Sequence, residues 1–226
     1  MFAVIFEVHP KPDQKEAYLG LGKMLKPEVE AIDGFVDNIR YRSLRRDGWL
    51  LSLSGWRDEK ALVRWRTQAR HHVVQEKGRS DIFLDYHLRI GELTADSSPG
   101  VALHEQRLDE TQTGDATTIT LIDAKRPPDQ VAQSSPDDLA KWLGLRPNAS
   151  GLVAWDVFDA VLTPGDVILL LSWRDRQAAE AFERTVSLQD GARLRRVRVV
   201  RDYGMFDRRE APQFYPDAQG RATRHA

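Results

Sequence analysis

The apolar positions along this chain alternate between a period of two and a helical period, and the changes of period mark the elements. Phe2–Val8 (FAVIFEV) is a β-rich run that Pro10 and Pro12 bring to an end. From Asp13 to Ile32 the positions Ala17, Leu19, Leu21, Met24, Leu25 and Val29 fall at helical spacing. Gly34 then suits a helix end, because glycine takes the left-handed backbone at least cost. VDNIRYRSL and WLLSLSGW read as two strands joined by an Arg-Asp-Gly turn. Asp58 is placed to cap a helix running from about Glu59 to Glu76, with Leu62, Val63, Trp65, Val73 and Val74 on it. IFLDYHLRIGEL makes a last strand, so the order is β-α-β-β-α-β.

The second half runs through the same order. ATTITLID, a helix near Pro136 to Leu145, GLVAWDVFDAVL, a turn at Pro164-Gly165-Asp166, VILLLSW, a helix from Arg176 and LRRVRVVRDYGMF follow in turn. Two stretches, SGWRDEKALVRW and LSWRDRQAAEAF, align at an offset of 117, and Gly34 and Gly151 each stand 22 residues before Trp56 and Trp173. Holding that spacing as well as the Trp-Arg-Asp triplet points to an internal duplication. The expected division is an N-terminal unit over 1–93, a linker over 94–115, a C-terminal unit over 116–210 and a tail over 211–226.

The expected fold class is α+β, with two ferredoxin-like units. Helices would cover one face of each sheet and leave the other apolar and open to water. Packing those two faces together in one chain gives an intramolecular α+β barrel, the fused counterpart of a dimer.

Composition narrows the function. The chain has 226 residues, 41% hydrophobic and 30% charged, with a net charge of −1 and no cysteine. Near-neutrality gives no overall attraction to nucleic acid or to an anionic membrane. The basic run ARLRRVRVVRD alternates with Leu and Val, which is a strand with one wet face rather than a nucleic-acid groove. The apolar N-terminal run is too short for a leader or a membrane span, so the expected location is the cytoplasm. No phosphate loop, HExxH or GxSxG occurs, and the six histidines form no metal-ligand spacing beyond the adjacent pair. No metal site is expected.

His71 and His72 are the strongest candidates for chemistry, since imidazole can serve as base or ligand near neutral pH. Trp65 can stack on a planar ligand, or simply pack. Glu7 would become a general base if its strand face lined a cavity and burial raised its pKa. Asn38, Arg40 and Arg42 alternate along one strand face and can recognise a carboxylate, or can be a solvated face. Tyr86 and His87 point to opposite sides of the last strand of the unit. Trp56 and Trp173, present in both copies, read as structural anchors.

The strand ending in Trp56, together with WRTQARHHVVQEKGRSDIFLDYHLRI, resembles the antibiotic biosynthesis monooxygenase (ABM) superfamily of dimeric α+β barrels, in particular its haem-degrading-monooxygenase-like members. The matching positions are Trp65, His71, Gln75, Gly78-Arg79, Phe83 and Tyr86. The resemblance implies a cavity between sheet and helices in the N-terminal unit and oxygen-dependent chemistry on an aromatic or haem-like ligand. It implies His71 or His72 as ligand or base, Glu7 or Asn38 orienting oxygen or substrate, and Trp65, Tyr86 and Arg40 as ligand contacts. Where the haem-degrading branch carries a first-strand Asn, this chain has Glu7. Haem stands as a candidate substrate or ligand, the partner expected is a small hydrophobic or aromatic molecule, and fused chains can pair again into a homo-oligomer. The alternative is a non-catalytic binding or scaffold module, which would show a packed interior and both histidines in solvent.

Overall fold

A computed structural model describes residues 1–127 and 135–212. The C-terminal run DAQGRATRHA of the expected tail lies outside the described residues. The N-terminal unit comprises β1 (Phe2–Pro10), α1 (Lys15–Glu30), β2 (Phe35–Ser43), β3 (Leu50–Trp56), α2 (Glu59–Arg66), α3 (Ala69–Lys77) and β4 (Phe83–Asp96). The C-terminal unit comprises β5 (Thr118–Lys125), α4 (Pro136–Trp142), β6 (Leu152–Ala160), β7 (Asp166–Trp173), α5 (Arg176–Glu183) and β8 (Arg193–Gly204).

The eight strands close into one antiparallel barrel in the order β1-β3-β2-β6-β7-β5-β8-β4. The units do bury their open faces together, but they also join edge to edge at two seams, β2 with β6 and β4 with β8. Closure leaves no sheet edge free to pair elsewhere.

Strand alternation sorts the side chains into three cores. Ala3, Ile5, Leu51, Leu53, Ile119, Leu121, Ile168, Leu170, Val197 and Val199 fill the barrel from both units. Phe2, Val8, Tyr18, Val29, Trp56 and Leu62 lie on the outer face under the helices of the first unit. Ile122, Leu139, Val157, Leu169, Leu171, Trp173 and Phe182 do the same in the second.

The duplication repeats down to single contacts. Asp58 accepts from the Ala61 amide and Asp175 from the Ala178 amide, both at 2.8 Å. Gly34 and Gly151 have φ of 91° and 79°, and a Cβ on either would press into Ala61 or Ala178. The two indoles differ in their acceptors: Trp56 donates to Ser54 on its own strand and Trp173 to Thr120 on β5, each at 3.0 Å within the core.

Strand register also locates the pseudo-twofold axis. Phe2 lies opposite Trp56 and Glu92, while Thr118 lies opposite Trp173 and Arg198. Glu92 and Arg198 are therefore equivalent positions, and they face each other across the β4–β8 seam. At the other seam Arg42 faces Asp159, its counterpart at the offset of 117. In a symmetric dimer identical side chains would meet at such points. Here each has become an ion pair, with N–O distances of 2.9 Å.

Three sequence readings are corrected. The helix expected over 59–76 breaks at Thr67-Gln68, where Gln68 starts a separate α3 by accepting from the His71 amide at 2.7 Å. Among the described residues no second-unit helix corresponds to α3: the chain passes from α5 to β8 through a loop, so the second unit repeats the first without its second helical segment. The strand expected to end at Leu93 continues to Asp96, and the crossing that follows is pinned, with Gln106 and Arg107 amides donating to the buried Glu92 carboxylate. Among the described residues no helix is long and apolar enough to cross a membrane.

Candidate functional site

A cavity of about 220 Å³ lies between the outer face of the N-terminal sheet and α1–α3. Val4, Phe6, Leu62, Trp65, Phe83 and Leu88 give it an apolar wall. Its polar lining is cationic: Arg40, Arg66, Arg79 and Arg208 contribute, and no Asp or Glu stands among the described lining residues.

Five of the sequence candidates meet here: Asn38, Arg40, Trp65, His71 and Tyr86. Arg40 reaches the cavity from β2 because α1 carries Gly22 at the crossing; a Cβ there would overlap the Arg40 guanidinium. The guanidinium hydrogen-bonds Tyr18 and lies 5.8 Å from its ring centre. Its Nε is buried without a partner, and it forms no ion pair among the described residues. Asn38 is exposed at the rim, its Oδ1 accepting from the Ser52 hydroxyl at 3.2 Å.

His71 lies flat against Trp65, with ring centres 4.1 Å apart and planes inclined by 15°. Its Nδ1 is 2.9 Å from the Trp65 carbonyl oxygen, which can only accept. Nδ1 therefore carries the proton and Nε2 keeps its lone pair. Burial pushes the imidazole down to about 4, against the raising effect of the bond to Trp65, so it is neutral at pH 7. A base that weak suits accepting a hydrogen bond from a ligand better than removing an unactivated proton.

Glu7 and His72 are not part of this cavity. Glu7 shares the barrel-facing side of β1 with Ala3 and Ile5, so it points away from the helices. It ion-pairs with Arg89 and Arg46. Burial raises its pKa, but the two guanidiniums outweigh that and hold the carboxyl below the usual range, so it is no raised-pKa base. It lines a second cavity of about 500 Å³ at the barrel mouth, together with His87, Asp156 and Asp202. His72 sits on the exposed side of α3, one residue past the turn that brings His71 inward.

The sequence reading missed Tyr203, Arg208 and Pro212, which line the N-terminal cavity from the far end of the chain. No local pattern signals a contact between β4 and a segment more than 100 residues later. It missed Ser52 and Ser54 as well, although two serines at period two in an otherwise apolar strand were a visible signal. At the offset of 117, Asn38, Arg40, Ser52 and Ser54 correspond to Trp155, Val157, Leu169 and Leu171. The last three of these are buried in the second unit's core, so its polar lining has been replaced by packing.

The lining does not fit a haem. A cavity of about 220 Å³ is small for a macrocycle of the size of haem. Its one imidazole among the described lining residues lies flat against Trp65, with Nδ1 held by the Trp65 carbonyl, rather than being directed at a macrocycle centre.

Comparison with known proteins agrees with the geometry. The model of the family described as antibiotic biosynthesis monooxygenase matches residues 1–77. The jasmonate monooxygenase ABM of Pyricularia oryzae (strain 70-15) is 50% identical over 225 residues, covering 96% of this chain and all of the relative. Among solved structures, an aldoxime dehydratase in complex with butyraldoxime aligns at TM-score 0.52 and 12% identity over 88% of this chain and 79% of its own, a likeness of fold. An anthrone oxidase-like protein aligns at TM-score 0.34 and 17% identity, over 94% and 96%. From the relative that matches it end to end, together with the family model, this chain belongs to the antibiotic biosynthesis monooxygenase family.

Proposed function

We propose that the chain is a monooxygenase acting on a small, largely apolar carboxylate of the jasmonate class, held in the cavity under α1–α3. The observation that carries this reading is the charge of that cavity: arginines and no acid among its described lining residues, with Arg40 lacking an ion-pair partner. A half-buried guanidinium with a buried, partnerless Nε and no counter-ion is an arrangement that a ligand carboxylate relieves. The name of the Pyricularia relative, a jasmonate monooxygenase, supplies a ligand of that chemistry: a carboxylate on an apolar frame with a ring ketone.

Each residue then has a task. Arg40 holds the carboxylate, Trp65 and Phe83 bury the apolar body, and neutral His71 offers Nε2 as an acceptor. One atom of dioxygen enters the substrate and the other leaves as water, with two electrons from a reductant such as NADH or a reduced flavin. A scaffold role fits less well, because the interior is open and lined by His71.

The test is turnover of jasmonate under isotope-labelled dioxygen with either reductant. The expected product is heavier by one labelled oxygen atom. Arg40→Gln should cut the preference for the acid over its methyl ester by about tenfold or more, the usual worth of a charged hydrogen bond. Equal binding of acid and ester by the unaltered protein would remove the reading.

A further inference from the structure

The second unit has lost the polar lining of its own cavity, yet it contributes to the cavity of the first. After β8 the chain turns back over the N-terminal unit. The Met205 amide donates to the Tyr86 carbonyl at 3.1 Å, and Arg79 donates to the Met205 carbonyl at 3.1 Å. The Glu210 carboxylate fixes the turn by accepting from the Thr111 hydroxyl and from the Gln112 and Asp202 amides, at 2.7–2.8 Å. Met205 and Ala211 pack into the first unit's outer core. The segment is thus fastened on both sides.

It brings a set of donors to the end of the cavity over β4 and β8. Arg208 donates to the Tyr86 hydroxyl, which leaves that hydroxyl's own proton to donate. The Arg208 guanidinium also lies 5.4 Å from the Tyr203 ring centre. Tyr86 and Tyr203 are both more than nine-tenths buried and both line the cavity, and the Tyr203 hydroxyl has no hydrogen-bond partner among the described residues. Burial, helped by the neighbouring Tyr86, pushes the Tyr203 phenol up to about 12, so it keeps its proton at neutral pH. Two phenolic protons backed by a guanidinium call for an acceptor oxygen. Arg40, on β2, serves the opposite end.

We propose that this corner binds a ketone oxygen of the ligand, and that Arg208, supplied by the second copy, determines selectivity for an oxo-carboxylate over a simple carboxylate. This deepens the substrate reading above and rests on it. In physical terms, the duplicated unit that gave up its own pocket completes the other one: the first unit reads the acid, and the second reads the carbonyl.

The experiment measures tryptophan fluorescence on titration of the full chain with jasmonate, its methyl ester, and an analogue whose ring ketone is reduced to methylene. The unaltered protein should prefer jasmonate to the deoxo analogue by about tenfold or more. Arg208→Gln and Tyr203→Phe should each bring that preference down to about twofold while the acid-over-ester preference persists. Arg208→Lys should keep part of it. Tyr203→Phe removes one hydroxyl and no packing volume, so it remains informative if Arg208→Gln loosens the turn. A ketone preference unchanged in both variants, or absent from the unaltered protein while the acid preference holds, overturns the inference alone. Loss of the acid preference in the unaltered protein overturns the substrate reading with it.

Discussion

At Gly22, two physical demands oppose each other. Glycine inside α1 costs about 1 kcal/mol of helix stability relative to alanine, yet the Arg40 guanidinium occupies the space a Cβ would take. Gly22→Ala should therefore leave thermal stability level or slightly raised while weakening jasmonate binding, a divergence that one melting curve and one titration reveal together. His71 gives a pH signature. Its folded-state value of about 4 lies below the ordinary histidine value, so the unfolded chain binds the proton more readily. Its contribution to stability is complete above about pH 6.5 and is lost as the pH falls toward 4, by on the order of 3 kcal/mol at most. Chemical denaturation at pH 7 and pH 4.5 should show a steeper loss for the natural protein than for His71→Gln. His71 and Glu7 show what the sequence could carry. His71 was legible because a histidine six residues after a tryptophan is a local pattern. Glu7 was not, because strand parity leaves two faces open, and which one met the helices depended on how the whole barrel closed.

Elements were legible wherever a local signal fixed them. Asp58 capped its helix where expected and Asp175 does the same at the duplicated position, Gly34 and Gly151 took positive φ, and each strand formed close to its apolar run. The break between α2 and α3 was not legible, because its cause is a side-chain contact: Gln68 caps α3 with its carbonyl while its amide donates to Glu28 on α1 at 2.7 Å. That contact sets the angle at which His71 enters the cavity. Gln68→Ala should cost about 1 kcal/mol, the usual worth of a cap, and should reduce ligand affinity although residue 68 does not line the cavity. Differential denaturation and titration read the two effects. The shorter path from α5 to β8 leaves the second unit with the sheet, held by barrel packing shared with the first unit, and without a counterpart of α3, the helix that brings His71 to the first unit's cavity.

At the scale of the whole molecule, the barrel core is drawn from both units, so neither unit can open without exposing the other's apolar face. Unfolding should be a single transition, with tryptophan fluorescence and far-ultraviolet circular dichroism coincident. The seams determine how the units recognise each other. At β4–β8 the equivalent positions Glu92 and Arg198 form a pair in which Glu92 is 0% and Arg198 7% exposed. Two identical units could not do this, since either glutamate would face glutamate or arginine would face arginine in a buried seam. Fusion allowed the two positions to diverge, and the divergence now favours pairing of unlike halves within one chain. Arg198→Glu should therefore cost about 3–5 kcal/mol, as removal of one partner from a buried pair does. The exchange Glu92→Arg with Arg198→Glu should restore part of that loss and no more, because the Gln106 and Arg107 amides would lose their carboxylate acceptor. A coupling of at least about 1 kcal/mol in the double-mutant cycle, measured by guanidinium denaturation, is the expected result. Strict additivity would mean that the seam is held by strand pairing alone and that the charge divergence has no part in joining the halves.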